Sequence, residues 1–275
     1  MSATLPASAA ATASVPATQS QTGFWTVAGA ICKRNLVSIT RSPAAYVPSL
    51  FFPVMLIVAM NGAYSGVAQA PGFPTRHMVD WMLPFAIVNS AAITGMTTGL
   101  GLIRDLTTRF YDRLLLAPVN RLALIVGLAQ AAVVRILPPF TIVGFIAYAE
   151  GARLTGGFAG FLCLAISAIG SAIIGSGWGI GMGLRFKSFK AVPLMFMGVT
   201  LALFTSTVQV PTSFMSGWLK PVARANPLTK LLTLARAGFT GPTTWREIWP
   251  GLIVIAVLGT LFSMFAVRGM RTLED

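Results

Sequence analysis

Long apolar blocks separated by short charged clusters occupy most of this chain, and each approaches the roughly 20 residues a helix needs to cross a bilayer. In order they fall near residues 44–64, 81–103, 122–149, 154–184, 191–208 and 250–267. The pattern predicts an all-α integral membrane protein with about six transmembrane helices. Pro43 and Pro48 open the first block, and a loop holding Pro71, Gly72, Pro74, Arg76, His77 and Asp80 separates it from the second. The fourth block exceeds what a bilayer requires, so its helix tilts or its ends protrude.

Residues 24–40 follow a different pattern. Trp25, Ala28, Cys32, Leu36 and Ile39 recur at helical spacing while Lys33, Arg34 and Asn35 keep the other side polar. This describes an amphipathic helix lying on the membrane surface. Residues 1–22 are rich in Ala, Ser, Thr and Pro and lack the basic and apolar regions of a signal peptide. They read as a disordered cytoplasmic tail ahead of one polytopic domain, residues 23–275.

Composition removes the soluble alternatives. Hydrophobic residues make up 55% and charged residues 10%, with mean hydropathy +0.76, against roughly 25% charged in soluble domains. A net charge of +13 suggests nucleic acid in a soluble chain, but here the basic residues sit at block ends, where they set orientation. With the N-terminus inside, Lys33, Arg34, Arg41, Arg104, Arg109, Arg113, Arg121, Arg185, Lys187, Lys190, Arg268 and Arg271 are cytoplasmic. The two short outer loops then hold only Arg76 and Arg153, so both termini are expected inside the cell membrane. The outer segment between the fifth and sixth spans departs from this, carrying Lys220, Arg224, Lys230, Arg236 and Arg246. At about 40 residues it is long enough to weigh less in orientation.

Candidate chemistry is sparse. Cys32 and Cys163 show no metal or disulfide spacing. The alternating Gly175, Gly177, Gly179, Gly181 and Gly183 lack the Lys-Ser/Thr of a phosphate loop and instead suggest close helix packing, or a hinge. No Walker A pattern occurs in these residues. Arg135 falls inside the third block, where a lone cation costs at least about 2.5 kcal/mol. It is a candidate pathway residue or a structural cation bound to helix carbonyls. Glu150, at the end of the same block, is expected to pair with Arg153.

Two segments carry more information. Residues 104–121 place Phe110, Leu114 and Leu115 on one helical face with Arg109, Asp112 and Arg113 around it, and close on Pro118. Such an amphipathic helix suits docking on a soluble partner, or serves as a solvated connector. Residues 210–241 are too polar to span and too apolar to float free. Short helices dipping into the outer leaflet fit, with Asn226 and Pro227 marking a boundary, as does a surface loop anchored by Trp218, Trp245 and Trp249.

The first of these segments resembles the coupling helix of ABC-2 type export permeases. The resemblance rests on its Arg104-Asp105 start, its Leu-rich centre, and its Pro118-Val119-Asn120-Arg121 close. The second is similar to that family's outer re-entrant motif through Met215, Trp218, Leu219, Asn226, Pro227, Leu228, Thr229, Arg236 and Gly241, with Ser216 where the family usually has Pro. The daunorubicin-resistance branch is the nearest in style. The resemblance implies an ATP-driven exporter of a hydrophobic drug, antibiotic or lipid-like substrate. It further implies a second permease chain, identical or paralogous, and two separate ATPase subunits that hold ATP and magnesium, this chain binding no cofactor and no nucleic acid.

Rival functions fit less well. His77, the only histidine, is expected in an outer loop, away from Ser176, which disfavours an intramembrane protease. Asp and Glu are absent from the span centres, which disfavours a proton relay, although a secondary carrier or channel working without an ATPase remains the alternative.

Overall fold

The computed structural model describes residues 23–41, 47–108, 121–208 and 210–271, and among these every regular element is an α-helix. In chain order these are α1 (Phe24–Arg41), α2 (Val47–Ala68), α3 (Met78–Thr107), α4 (Arg121–Arg135) and α5 (Leu137–Ala149). They continue as α6 (Gly157–Phe186), α7 (Ala191–Phe204), α8 (Leu219–Ala225), α9 (Pro227–Arg236) and α10 (Trp245–Arg271).

Among the described residues, four apolar stretches are long enough to cross a membrane: Met78–Thr107, Leu122–Ala149, Gly157–Phe186 and Trp245–Met270. Two shorter apolar helical stretches, Pro53–Ala68 and Ala191–Phe204, coincide with the first and fifth expected spans. The second and sixth helices run past their expected limits at both ends, because charged residues such as Arg104, Asp105, Glu247 and Arg268 extend a helix out of an apolar block without breaking it.

Two expected spans need correction. The third is not one helix: it turns at Ile136, and α5 restarts with Pro138 and Pro139 in its first turn. Proline lacks the N–H that an interior position must donate, but a first-turn position has no acceptor for it anyway, so the pair sets the break. The fifth span, expected to reach residue 208, ends at Phe204. Its 14 residues measure about 21 Å, short of a bilayer core of about 30 Å. Its end is fixed by hydroxyls that fold back: Thr205 donates to the Leu201 carbonyl at 2.7 Å and Ser206 to that of Leu203 at 2.8 Å.

Helices α3 and α6 form the centre, and glycine lets their backbones touch. A Cβ on Gly95 would collide with the Ala172 carbonyl, one on Gly99 with Gly179, one on Gly175 with Ala92 and one on Gly179 with Met96. The alternation in α6 resolves into two faces. Gly175, Gly179 and Gly183 meet α3, whereas Gly177 and Gly181 receive Phe262 and Phe265 of α10. In lipid, where apolar burial between helices gives little gain, such close contact supplies the dispersion that holds them together.

Candidate functional site

Met82, Phe85, Asn89, Ile93 and Thr97 succeed one another by three or four positions, so they form a stripe along one face of α3. With Leu56 and Met60 of α2 and Phe196, Val199 and Leu203 of α7 they wall a cavity of about 840 Å³. Phe214, Met215 and Leu219, from the segment leading into α8, complete its wall. The lining is mainly Phe, Met and aliphatic side chains with a few polar groups, the usual make-up of a site for a small apolar ligand.

Asn89 is the most polar of those groups. It is 2% exposed, and its Oδ1 is buried with no hydrogen-bond partner, as are the hydroxyls of Ser90 and Thr98 on the same helix. An amide in this state costs about 1–3 kcal/mol, so something other than folding stability keeps it there. Thr97, further along the stripe, accepts a long hydrogen bond of 3.4 Å from Nη2 of Arg135. Arg135 ends α4, beside the Ile136 turn, and so stands at a break in the helical pair rather than within a continuous span.

The outer motif closes around the same cavity. Asn226 caps α9 by accepting from the Leu228 amide at 2.8 Å, with Pro227 at the first helical position. Its Nδ2 donates to the Ala202 carbonyl at 2.8 Å and to Thr205 Oγ1 at 2.9 Å, joining α9 to the end of α7. Arg236 is 2% exposed at the other end of α9. Its guanidinium donates to the carbonyls of Trp81 (3.0 Å), Thr207 (2.8 Å) and Val208 (3.0 Å) and stacks over the Trp81 ring. Trp81 Nε1 in turn donates to the Val208 carbonyl at 3.1 Å. Five planar donors satisfy several carbonyls at once, which no other side chain does in that volume. Met215 is buried, and Trp218 is 74% exposed, as suits an interfacial anchor. Just past α9, the Gly238 carbonyl accepts from the Gly156 amide at 2.8 Å, which seats α9 on the start of α6.

Of the residues assigned to coupling, Arg104 and Asp105 lie in the last turn of α3 and Arg121 opens α4. Arg109, Phe110, Asp112, Arg113, Leu114, Leu115 and Pro118 lie outside the described residues. Asp105 is held by Arg34 of α1, whose Nη1 and Nη2 each donate to a carboxylate oxygen at 2.7 Å.

The expected Glu150–Arg153 pair is not formed. Glu150 Oε2 instead accepts from Asn61 Nδ2 at 3.0 Å, and the Arg153 amide donates to Asp80 Oδ1 at 2.8 Å. Gly151, with φ +93°, turns the chain so that its neighbours face α2 and α3 instead of each other. Ser176 donates to the Ile173 carbonyl within α6.

Sequence reading missed Asn89, Trp81, Thr207 and the Arg34–Asp105 pair. One usable signal was the polar run Asn89, Ser90, Thr94, Thr97 and Thr98 inside an apolar block, since polar residues at membrane depth face protein or a pathway.

An apolar cavity walled by helices, two of them beside or within spanning stretches, places the molecule among membrane transport proteins. Residues 26–240 match the ABC-2 type transporter family, a stretch that contains the cavity walls and the outer motif, and the chain belongs to that family. It is also similar to the daunorubicin resistance ABC transporter permease protein DrrB1 of Streptomyces coeruleorubidus, with 22% identity over 246 residues, 86% of this chain and 82% of that one. The chain is thus a multi-pass transmembrane subunit of an ABC transporter, related to a drug-resistance permease.

Proposed function

We propose that this chain forms the membrane pathway of an exporter that moves a hydrophobic drug, antibiotic or lipid-like molecule out of the cell, driven by ATP hydrolysed on two separate ATPase subunits. The reading rests on the cavity of about 840 Å³ bounded by α2, α3 and α7. Its size suits a drug-sized ligand, its walls suit an apolar one, and Asn89 supplies one hydrogen-bonding group to fix orientation. Nothing in the lining carries a carboxylate able to take up a proton, which favours ATP over a proton gradient as the source of work.

In this reading a second permease chain faces the cavity and the segment 104–121 docks on the ATPases. The hairpin of α8 and α9 lies on the outer side and covers the exit, pinned by Arg236. Arg135 reaches the cavity wall through Thr97 and biases the pathway toward electron-rich or anionic groups. A cell-membrane location with both termini inside follows from the same arrangement.

The test is uptake of daunorubicin, or of a fluorescent phospholipid, into inside-out vesicles carrying the chain with its ATPase. Uptake that requires hydrolysable ATP and weakens in Asn89→Leu supports the reading. Uptake driven by a proton gradient without ATP contradicts it.

A further inference from the structure

The chain has twenty basic side chains and seven acidic ones, so where an acid is placed matters. Asp105 sits next to Arg104, yet it is Arg34, 71 residues away on α1, that takes both of its oxygens at 2.7 Å. The Asp105 side chain is 17% exposed and that of Arg34 42%. An exposed pair of this kind adds little stability, but the two-pronged geometry fixes the mutual orientation of the two groups.

The same helix is bound to the other end of the connection as well. Gly127 of α4 lies so close to α1 that a Cβ on it would stand 2.6 Å from the Ala28 carbonyl and 2.9 Å from Ile31 Cβ. Ile31 packs in one cluster with Leu102 of α3 and Leu124, Ile125 and Leu128 of α4, with Leu106 against it. Helix α1 therefore grips both α3 and α4, the two helices joined by residues 109–120. The α4 contact is apolar and tolerant of rotation, whereas the α3 contact is a fork that sets direction.

We infer that Arg34 is a positioning residue: by clamping Asp105 it fixes the angle at which the chain leaves α3 for the segment 104–121, and so sets the pose of the docked ATPase. This rests on the coupling role proposed above. Helix α1 is in that case part of the transmission between ATP hydrolysis and the spans rather than only a surface anchor.

The experiment uses the complex of the tagged chain with its co-purifying ATPase, assayed for ATP hydrolysis. Arg34→Gln and Asp105→Asn are each expected to lower kcat by roughly fivefold while leaving KM for ATP and the amount of ATPase recovered unchanged. The double exchange Arg34→Asp with Asp105→Arg is expected to restore at least about half of the rate, since it rebuilds the pair with its charges reversed. An unchanged kcat in both single variants overturns the inference, and so does a loss that the double exchange fails to repair, which would mean general damage to the fold. Failure of the unaltered chain to recover any ATPase would strike at the coupling role itself, and is read before any variant is made.

Discussion

Arg236 lies over the indole of Trp81 with its guanidinium carbon 3.6 Å from the ring centroid, while its Nε donates to the carbonyl of the same residue at 3.0 Å. One side chain thus joins α9 to the start of α3 and, through the carbonyls of Thr207 and Val208, to the turn after α7. In a low-dielectric setting these bonds are hard to replace, because removing the donor strands several carbonyls together.

Arg236→Met is expected to lower the thermal stability of the purified chain by the equivalent of about 3 kcal/mol or more, as breaking a buried network does. Arg236→Lys recovers only part, since an ammonium cannot reach all three carbonyls or stack in the same way. Trp81→Phe keeps an aromatic face but loses the indole N–H bond to Val208, at a cost of about 1 kcal/mol. Thermal unfolding in one detergent ranks the three. An Arg236→Met variant as stable as the parent would show that the network is dispensable.

Gly99 and Gly101 separate two uses of glycine two positions apart on α3. A Cβ at Gly99 would collide with Gly179, whereas one at Gly101 meets nothing within 4 Å. Gly99→Ala is expected to push α3 and α6 apart and reduce the yield of monodisperse protein. Gly101→Ala is neutral or stabilising by up to about 1 kcal/mol through helix propensity. Size-exclusion profiles of the two variants settle the contrast, and equal profiles would count against backbone contact.

Asn89→Leu removes a buried amide whose oxygen has no partner. It is expected to raise stability by about 1 kcal/mol while reducing transport of a ligand that hydrogen-bonds there, the pattern of a functional group kept at a cost in stability. Transport that survives unchanged in the stabilised variant would remove Asn89 from the pathway.

Arg135 is tested with its neighbour. Arg135→Ala and Thr97→Val are expected to change transport in the same direction without preventing assembly, because the two side chains meet at 3.4 Å. Collapse of the folded complex in Arg135→Ala alone would assign Arg135 to structure.

Much of this architecture was legible because lipid imposes a simple rule: backbone groups must be satisfied within helices, so apolar blocks become helices. The Asn226–Pro227 boundary was equally readable, as proline restricts the residue before it and asparagine caps the next helix. The alternating glycines likewise gave away close packing in α6. Hydropathy could not show that α7 stops at Phe204, since Thr205 and Ser206 are mild on any apolar scale but bond back to the helix. Nor did it show the break at Ile136, although Pro138 and Pro139 carried that information. The partners of Asp105, Glu150 and Arg236 come from 71, 89 and 155 residues away. Local spacing misassigned Glu150 for that reason. The cavity needs α2, α3 and α7 together, and no single segment announces it.

The central claim, that this chain is the pathway of an exporter powered by a separate ATPase, is tested most directly by affinity purification of the tagged chain from its native membrane in mild detergent, with mass spectrometry of what accompanies it. The account predicts a soluble protein bearing Walker A and ABC signature motifs at near one copy per permease chain, lost when Leu114 and Leu115 are both changed to Asp while membrane insertion is kept. A homo-oligomer free of any ATPase, reproduced under crosslinking, would contradict it and favour a carrier or channel.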